Sequence, residues 1–492
     1  MIAAATPTGW SLMLPELWLG GLLLILLGLD LRWKDRPRSP LGALTALGLL
    51  AAIPFLAWQS GLGSQTLLGG MYRIDPLGIF FKGIFLATAL LVTLMAREMG
   101  RSFERDAGEF YLLILTCTLG MFFVASAGDF LMLFVSLELI TISFYVMTAY
   151  LKTDLRSLEA GLKYLILGSV ASGLFLYGIA FVYGATGSTQ FAQIRAVLQG
   201  AGTAAAAGSA PPPLPAGLLF GLLMILGGIL FKTAAVPFQL WVPDVYQGAP
   251  TPVTAFLSVG SKSAGFLVAF RVLVELFLPA RSRWSGLIAL LAGLTILYGN
   301  LGAIPQKNIK RLFGYSSIGH AGYLLIGLAA GSALGSTAIT FYLAGYLVTN
   351  LAAFLVISAF SRQAGSDEMA DYAGLSQRSP LLAAAMFLAL LSLAGVPPLA
   401  GFFGKFLLLM SAVREGYLWL AAIGAAAVVI SLYYYLLLVK RMYVDPPADP
   451  TPVPVSLPVR IALIACLIGI LGIGIWQGPF VNLSFASVKS LF

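Results

Sequence analysis

Apolar runs of about 20 residues recur along the whole length of this 492-residue chain. A run of that length is enough to cross the hydrocarbon core of a bilayer as an α-helix. Hydrophobic residues make up 59% of the sequence and charged residues 10%, against about 45–50% and about 25% in soluble domains. A chain with this balance has too little polar surface to cover itself in water. We therefore expect an integral membrane protein that has lipid as its main solvent.

The apolar runs predict an all-α architecture of about fourteen transmembrane helices. Inside lipid every backbone N–H and C=O must be bonded within its own segment, so each spanning run is a helix. The predicted spans are 10–31, 40–59, 75–96, 108–127, 129–150, 158–185, 216–236, 249–277, 284–303, 307–330, 336–361, 379–413, 416–440 and 458–480.

Lysine and arginine are unevenly divided between the two sets of loops. With the N-terminus outside, six lie on the outer side and seventeen on the inner side: Arg32, Lys34, Arg36, Arg38, Arg97, Arg101, Arg105, Lys152, Arg156, Lys307, Lys310, Arg311, Arg362, Arg378, Lys440, Arg441 and Arg460. Because basic loops stay in the cytoplasm, both termini are predicted on the outer side. The net charge of +9 sorts by membrane side, which argues against nucleic-acid binding.

Six basic residues remain inside the predicted helices, namely Lys82, Lys163, Lys232, Lys262, Arg271 and Lys405, and one acid, Glu138, lies near the middle of its span. A charge at the centre of a membrane helix costs about 2.5–3.5 kcal/mol even on the most lenient scale. Several such charges therefore imply either a hydrated interior path or mutual pairing.

Three of these basic residues have a structural interpretation. Lys82 lies about seven residues into its span, and we interpret it as extending to the membrane interface. Arg271 has Glu275 one turn further along, which predicts a local ion pair. Lys163 lies close to the inner end of its helix, where extension to the interface and a functional role both remain open.

Glu138, Lys232 and Lys262 cannot reach water along their own helices, so we predict a functional role for them. His320 is the single histidine and lies mid-span in YSSIGHAGY. Histidine exchanges protons near neutral pH, but it also serves as a hydrogen-bonded tie between helices. Both interpretations of His320 stay open, and too few ligands surround it to predict a metal site.

The sequence contains no pattern for a redox cofactor or nucleotide. Cys117 and Cys466 occur singly in apolar runs, and there is no CxxC motif, histidine cluster or glycine-rich fingerprint. Any redox cofactor is therefore expected on a partner. The stretch 200–217 (GAGTAAAAGSAPPPLPAG) is interpreted as a flexible outer-loop insertion without chemistry.

Two predicted spans contain prolines where a helix should continue, at Pro237 in FKTAAVPFQLWVP and at Pro397 and Pro398 in AGVPPLAGFFGK. Proline removes a helical hydrogen bond and opens the helix. Because non-helical backbone at this depth must be buried in protein or line a cavity, we expect both breaks to line an interior axis.

The two breaks also suggest a repeated architecture. AAVPF and AGVPP lie 160 residues apart, which is compatible with two five-helix repeats, and each break has a lysine nearby. Paired interrupted helices are typical of inverted-repeat transporters. The lysines themselves do not align, since Lys232 precedes its proline and Lys405 follows its own.

Four stretches of the chain resemble the antiporter-like membrane subunits of respiratory complex I. They are SLELITISFYVM (136–147), FKTAAVPFQLWVPDVYQGAPTPVTAFLSVGSK (231–262), NIKRLFGYSSIGHAGY (308–323) and GVPPLAGFFGKF (395–406). The YQGAPTPVTAF wording favours the N-type subunit, as does Lys405, where the M-type has a glutamate. A short tail after the last span, without the lateral helix of the L-type, points the same way. The 200–217 insertion departs from the usual pattern but touches no motif.

This resemblance implies a fold of helices 1–3 (1–107), a first repeat of helices 4–8 (108–279), a second of helices 9–13 (280–443), and helix 14 (444–492). It also implies site residues. Those for proton translocation are Glu138 of the fifth helix, Lys232 of the broken seventh, Lys262 of the eighth, His320 of the tenth and Lys405 of the broken twelfth. Lys163 of the sixth helix would modulate them.

The sequence thus predicts a proton-translocating subunit of an NADH:quinone oxidoreductase in a bacterial plasma membrane, and so part of an enzyme. NADH, FMN, iron–sulfur clusters and quinone are expected on partner subunits, which include other membrane subunits and, through them, a peripheral redox arm. Two alternatives remain open. One is a subunit of a multi-subunit cation/proton antiporter, and the other is a membrane-arm scaffold without its own proton path.

Overall fold

A computed structural model describes residues 9–33, 39–98, 107–206, 215–447 and 449–492. Within these ranges thirteen helical segments are long and apolar enough to cross a membrane, which confirms the predicted all-α membrane fold. The predicted span 379–413 is instead divided into two shorter helices. Lys34, Arg36, Arg38, Arg101, Arg105 and positions 207–214 of the predicted insertion lie outside the described residues.

The described residues form twenty α-helices along the chain. Their bounds are α1 Leu14–Arg32, α2 Ser39–Ser60, α3 Pro76–Ala96, α4 Ala107–Ser126, α5 Phe130–Thr148, α6 Leu155–Thr186, α7 Phe191–Ala206, α8 Ala216–Thr233, α9 Trp241–Gly248, α10 Thr251–Phe256, α11 Lys262–Ala269, α12 Arg281–Ala303, α13 Ile309–Ala330, α14 Ala333–Ala364, α15 Leu375–Arg378, α16 Pro380–Ala394, α17 Ala400–Arg414, α18 Leu418–Tyr443, α19 Leu457–Ile475 and α20 Gln477–Val488. A small antiparallel hairpin, β1 Gln65–Leu67 and β2 Tyr72–Ile74, precedes α3 and pairs Thr66 with Arg73.

The first break in the membrane helices separates α8 from α9. Helix α8 ends at Thr233, and Ala234 adopts a positive φ of 65°. The freed amide of Val236 donates to the hydroxyl of Thr295 on α12 at 3.1 Å. A side chain of a neighbouring helix therefore replaces the hydrogen bond that the break removes.

The second break separates α16 from α17. Helix α16 ends at Ala394, and Gly395 has a φ of +90°, a conformation that favours glycine. The amide of Gly401 donates to the Ser392 hydroxyl at 3.1 Å, so this break is also satisfied by a side chain.

Pro237, Pro397 and Pro398 are exposed in the described chain. A backbone amide near each break is bonded to a side chain, to Thr295 at the first break and to Ser392 at the second. That the two breaks line an interior axis stays a prediction.

Two segments form the centre of the molecule. Thr251–Leu276 is buried throughout its most apolar stretch, and α13 is buried over 94% of its own. The first segment is not a uniform α-helix, because π-helical turns at Leu257–Ser261 and Phe270–Leu276 flank α11. Such turns are frequent at functional sites. These central segments carry Lys262 and His320.

Candidate functional site

Glu138 and Lys232 line one small cavity between α5, α6, α8 and α11. Glu138 accepts a hydrogen bond from the Ser172 hydroxyl at 2.6 Å, and the Lys232 ammonium donates to the Thr141 hydroxyl. The two charged groups share the cavity without a direct ion pair. Its volume of about 20 Å³ for the centre of a water molecule is enough for a single water. Lys232 lies in the last turn of α8, where the helix dipole favours a cation.

Lys262 opens α11 and is 2% exposed. Its ammonium donates to both the backbone carbonyl and the hydroxyl of Ser317 on α13, and it lies 5.5 Å from the ring centre of Tyr346. The Ser317 hydroxyl is bonded in turn to Tyr246 at 3.0 Å and to Tyr346 at 3.4 Å. No acid pairs with Lys262 among the described residues, so its partners are all neutral.

His320 lies one turn after Ser317 on α13 and has a tyrosine on each ring nitrogen. Nδ1 is 2.5 Å from the Tyr342 hydroxyl, and Nε2 is 3.3 Å from the Tyr435 hydroxyl. Tyr435 also bonds the Ser316 hydroxyl at 2.5 Å. Hydroxyl and neutral imidazole groups can each donate and accept hydrogen bonds. A proton can therefore move along the cluster when each group switches between its donor and acceptor roles.

Lys405 projects from α17 onto the end of the other half of the broken helix. Its ammonium donates to the carbonyl of Ala394, the last residue of α16, at 3.1 Å and lies 4.7 Å from the ring centre of Tyr323. Its side chain packs against Gly395. Lys232 and Lys405 do not align in sequence. Lys232 lies in the last turn of α8, and the ammonium of Lys405 reaches the last residue of α16 from the neighbouring helix. The dipole stabilises positive charge at both helix ends.

The helix that carries Lys262 packs closely against the end of the helix that carries Lys232. A Cβ at Gly265, one turn after Lys262, would lie 3.1 Å from the Cβ of Lys232. Tyr164 stacks on Phe231 beside Lys232, with ring centres 5.9 Å apart. The hydroxyls of Tyr164 and of Ser261 and Ser263 are buried and make no hydrogen bond within the described chain, so they retain capacity to bind water.

Lys163 lies at one end of the molecule, in a network that does not include Glu138. Its ammonium binds Asp244 on α9 at 2.7 Å and Glu159 at 2.8 Å, and Arg311 of α13 binds the other Asp244 oxygen at 2.6 Å. Burial raises the pKa of the Asp244 carboxyl, but the hydrogen bonds from Lys163 and Arg311 outweigh it and lower the pKa. Asp244 therefore joins α6 to α13.

A second set of buried charges lies near the hairpin. Lys82 pairs with Glu16 of α1 at 2.6 Å, and both side chains are 1% exposed. Gln59 accepts from Lys82 at 2.9 Å, and the Tyr72 hydroxyl donates to Glu16 at 3.1 Å. The interpretation of Lys82 as extending to the interface is wrong, because a buried carboxylate compensates it where it lies.

Arg271 also has a stronger partner than the one predicted. It donates to both oxygens of Asp75 at 2.6 and 2.9 Å, whereas Glu275 is 3.4 Å away. Arg73 binds both oxygens of Glu275 at 2.5 and 2.6 Å. Burial raises the pKa of Asp75, but the adjacent Arg271 holds it at about 2. The network connects the β-hairpin to the end of the central Thr251–Leu276 segment.

Sequence reasoning missed the tyrosines that surround the central lysines and histidine, and it missed Glu16. Tyr342 and Tyr346 lie one turn apart on α14, and Tyr434 and Tyr435 are adjacent on α18. The signal that could have identified these tyrosines is a hydroxyl group in the middle of an apolar span. Glu16 lies in the first turn of α1, away from the middle of the span.

No group of three or more histidine, cysteine, aspartate or glutamate side chains in the described ranges could hold a metal ion. Cys117 and Cys466 are buried free thiols. The chemistry that this arrangement supports is proton exchange among lysine, histidine and hydroxyl groups.

Comparison with known proteins gives one consistent family. Residues 127–431 match the family model described as NADH:quinone oxidoreductase/Mrp antiporter, TM. The NADH-quinone oxidoreductase subunit N of Moorella thermoacetica is 44% identical over 474 residues, which cover 96% of each chain. A chain of respiratory complex I from Thermus thermophilus with bound Aureothin is 32% identical with a TM-score of 0.80, covering 96% of this chain and 99% of that one. A chain of the Mrp complex from Dietzia sp. is 20% identical with a TM-score of 0.85, covering 98% of each, and shares the fold.

Proposed function

Because this chain belongs to the NADH:quinone oxidoreductase/Mrp antiporter transmembrane family, we propose that it is a proton-translocating membrane subunit, of the N type, of an NADH:quinone oxidoreductase. Its 44% identity to the Moorella thermoacetica subunit N supports this assignment. Partner membrane subunits and a peripheral redox arm would supply NADH, FMN, iron–sulfur clusters and quinone. Quinone reduction there would provide the energy.

The observation that carries the proposal is the chemistry around the central lysines. Lys262 and Lys405 are buried, and their partners within the described chain are serine, a backbone carbonyl and tyrosine rings. A lysine without an acid partner has no fixed negative charge that requires it to remain an ammonium ion. It can therefore release a proton and regain it without leaving a carboxylate uncompensated.

The proposed path begins at Glu138 and Lys232, which share a cavity large enough for one water. A charged Glu138 favours the charged form of Lys232, and loss of that influence favours release of its proton. The proton would then pass to Lys262 by way of the hydroxyl groups of Tyr164, Ser261 and Ser263 and the water they can bind.

From Lys262 the path continues through Ser317 to His320 and its tyrosines. Tyr323, whose ring contacts the ammonium of Lys405, lies beside His320 with ring centres 6.5 Å apart. Lys405 would release the proton on the outer side. Lys163 would act on this path through Asp244, since its ammonium is bonded there.

We propose further that residues 108–279 and 280–443 are the two inverted repeats, with 1–107 and 444–492 outside them. The matching position of Lys232 and Lys405 at half-helix ends supports this division. The distribution of basic residues supports a bacterial plasma membrane location with both termini on the outer side.

The decisive experiment compares Glu138→Gln with the matched change Glu368→Gln, at an exposed acid that lines neither of the cavities lined by Glu138. Proton uptake into inverted vesicles is measured beside the quinone reductase rate. We expect Glu138→Gln to lower proton uptake at least tenfold while assembly survives, and Glu368→Gln to leave uptake unchanged. Unaltered uptake in Glu138→Gln would refute the path.

The proteins that co-purify with the chain in mild detergent distinguish this function from its alternatives. Flavin and iron–sulfur subunits are expected. Other membrane subunits alone, with Na⁺-dependent proton movement, would identify a cation/proton antiporter. Normal pumping by variants of every residue on the path would leave only a scaffold role.

A further inference from the structure

A cavity of about 400 Å³ opens at one end of the molecule, between the α12–α13 connection and the end of α18. Its rim carries three basic side chains, Lys307, Lys440 and Arg441, and one acid, Asp445. Basic loops at this end were assigned to the cytoplasmic side by the charge distribution. The cavity therefore lies where the headgroups of the inner leaflet would be.

None of the three basic side chains forms an ion pair within the described part of the chain. Their neighbours on α13 are different, because Lys310 pairs with Asp367 at 2.9 Å and Arg311 with Asp244 at 2.6 Å. With three cations to one carboxylate, the rim has an excess of positive charge that no internal group neutralises. It therefore attracts an anion.

The wall of the same cavity that faces away from this rim is apolar. Leu437 and Tyr434 lie one to two turns before Lys440 and Arg441 on α18, so they line the cavity at a greater depth in the membrane. Leu437 is 38% exposed, and Ile304, which also lines the cavity, is 39% exposed. A ligand that satisfies both parts has an anionic head and a hydrocarbon body.

We propose that this cavity binds an anionic phospholipid, with its phosphate on Lys307, Lys440 and Arg441 and an acyl chain along Leu437. Basic pockets between transmembrane helices on the cytoplasmic side have the chemistry that recognises such headgroups. The exposed leucine and isoleucine favour a lipid over free phosphate, since inorganic phosphate makes no use of an apolar wall.

The test measures lipid binding to the full chain in detergent by native mass spectrometry, with phosphatidylglycerol, phosphatidylcholine or inorganic phosphate added. The site variant combines Lys307→Gln, Lys440→Gln and Arg441→Gln. The control combines Arg32→Gln, Arg97→Gln and Arg460→Gln, which remove the same charge from exposed positions outside the cavity. The single variants Lys307→Gln and Lys440→Gln, both at exposed side chains, serve if the triple variant misfolds.

We expect the unmodified chain and the control to retain phosphatidylglycerol at least fivefold better than phosphatidylcholine. The site variant should lose that preference, and each single variant should lose part of it. Equal retention of both lipids, or full retention by the site variant, would overturn the proposal. Displacement of phosphatidylglycerol by millimolar phosphate would identify a free-anion site and also overturn it. Proton transport is not measured, so the outcome is independent of the proposed function.

Discussion

The molecule buries lysines in two regions that differ in their partners. Near the hairpin, Lys82 is compensated by Glu16 at 2.6 Å, and the nearby Arg271 by Asp75. In the centre, Lys262 and Lys405 are equally buried but bind a serine, a backbone carbonyl and aromatic rings. All four side chains are basic and buried, and the two regions differ in whether a carboxylate lies beside them.

This difference separates charged groups that stabilise the fold from charged groups that can gain or lose a proton. An ion pair that is buried and hydrogen-bonded stabilises both charged forms, and removing one partner strands the other. A lysine among neutral partners can lose its proton with no carboxylate left uncompensated. We infer that the hairpin region has a structural role and that the central region conducts protons, and the variants below test the two regions against each other.

The largest effect is expected from Lys82→Met. It leaves the Glu16 carboxylate buried without a cation, and breaking a buried pair in this way costs about 3–5 kcal/mol. The thermal unfolding temperature in detergent and the assembled fraction in membranes would both fall. Pumping per assembled complex should stay near normal, because Lys82 lies off the central path.

The double variant Glu16→Gln with Lys82→Met is the control for this interpretation. Replacing both members of a buried pair by neutral groups of similar volume is often nearly neutral for stability. We expect the double variant to recover most of the lost stability. If it is as unstable as Lys82→Met alone, the ion pair is not the source of the effect.

A second prediction concerns Lys405, which belongs to the central region with neutral partners. Arginine keeps the positive charge but does not deprotonate in proteins. We expect Lys405→Arg to assemble normally and to lower proton uptake at least tenfold, whereas Lys405→Ala removes the charge and the exchange together. Uptake is measured in vesicles beside the quinone reductase rate. Normal uptake by Lys405→Arg would mean that the residue supplies only fixed charge.

The membrane spans, the helix breaks and the buried lysines could all be predicted from the sequence. The spans followed from the length of the apolar runs, and the positions of the breaks followed from Pro237 and Pro397, because both rest on local backbone chemistry. The cost of burying a charge also identified Lys232, Lys262 and Lys405 as residues that need an explanation. These inferences need no knowledge of which helices are neighbours.

The partners could not be predicted, because they belong to distant parts of the chain. Lys82 and Glu16 are 66 positions apart, and Arg271 and Asp75 are 196 apart. Lys82 was therefore given an interfacial role. The predicted pair of Arg271 with Glu275 is present at 3.4 Å, but the closer partner Asp75 was not predicted. The tyrosines around His320 come from α14 and α18, and no local pattern brings these helices together.

A smaller effect is expected at Gly265, where α11 contacts the end of α8 beside Lys232. A Cβ there would lie 3.0 Å from the Thr233 methyl and 3.1 Å from the Lys232 Cβ. Overpacking of this kind costs about 1–3 kcal/mol. Gly265→Ala should lower the unfolding temperature and reduce pumping partially, whereas the control Gly83→Ala, with open space around it, should do neither. Equal behaviour of the two variants would show that the helix contact tolerates a methyl group.

The smallest effect is expected at Asp244. Like the acids near the hairpin, Asp244 forms ion pairs with basic side chains, but these pairs are only partly buried. The side chains of Lys163, Asp244 and Arg311 are 43%, 33% and 30% exposed, and such pairs contribute about 0–1 kcal/mol. The pKa of Asp244 is lowered, so the stability that its carboxylate contributes is present above the usual aspartate pKa of about 3.9. It is lost as the pH falls through the lowered pKa.

Asp244→Asn should therefore unfold at a slightly lower temperature than the unmodified chain from pH 5 to pH 8, and the difference should vanish only below about pH 4. Added salt should also reduce the difference, because exposed charges are screened. The measurement is the unfolding temperature of both chains from about pH 3 to pH 8. The variant Glu159→Gln provides the control, since Glu159 binds Lys163 but not Arg311. A difference that disappears already near pH 6 would show that this carboxyl exchanges protons at neutral pH and belongs with the central region.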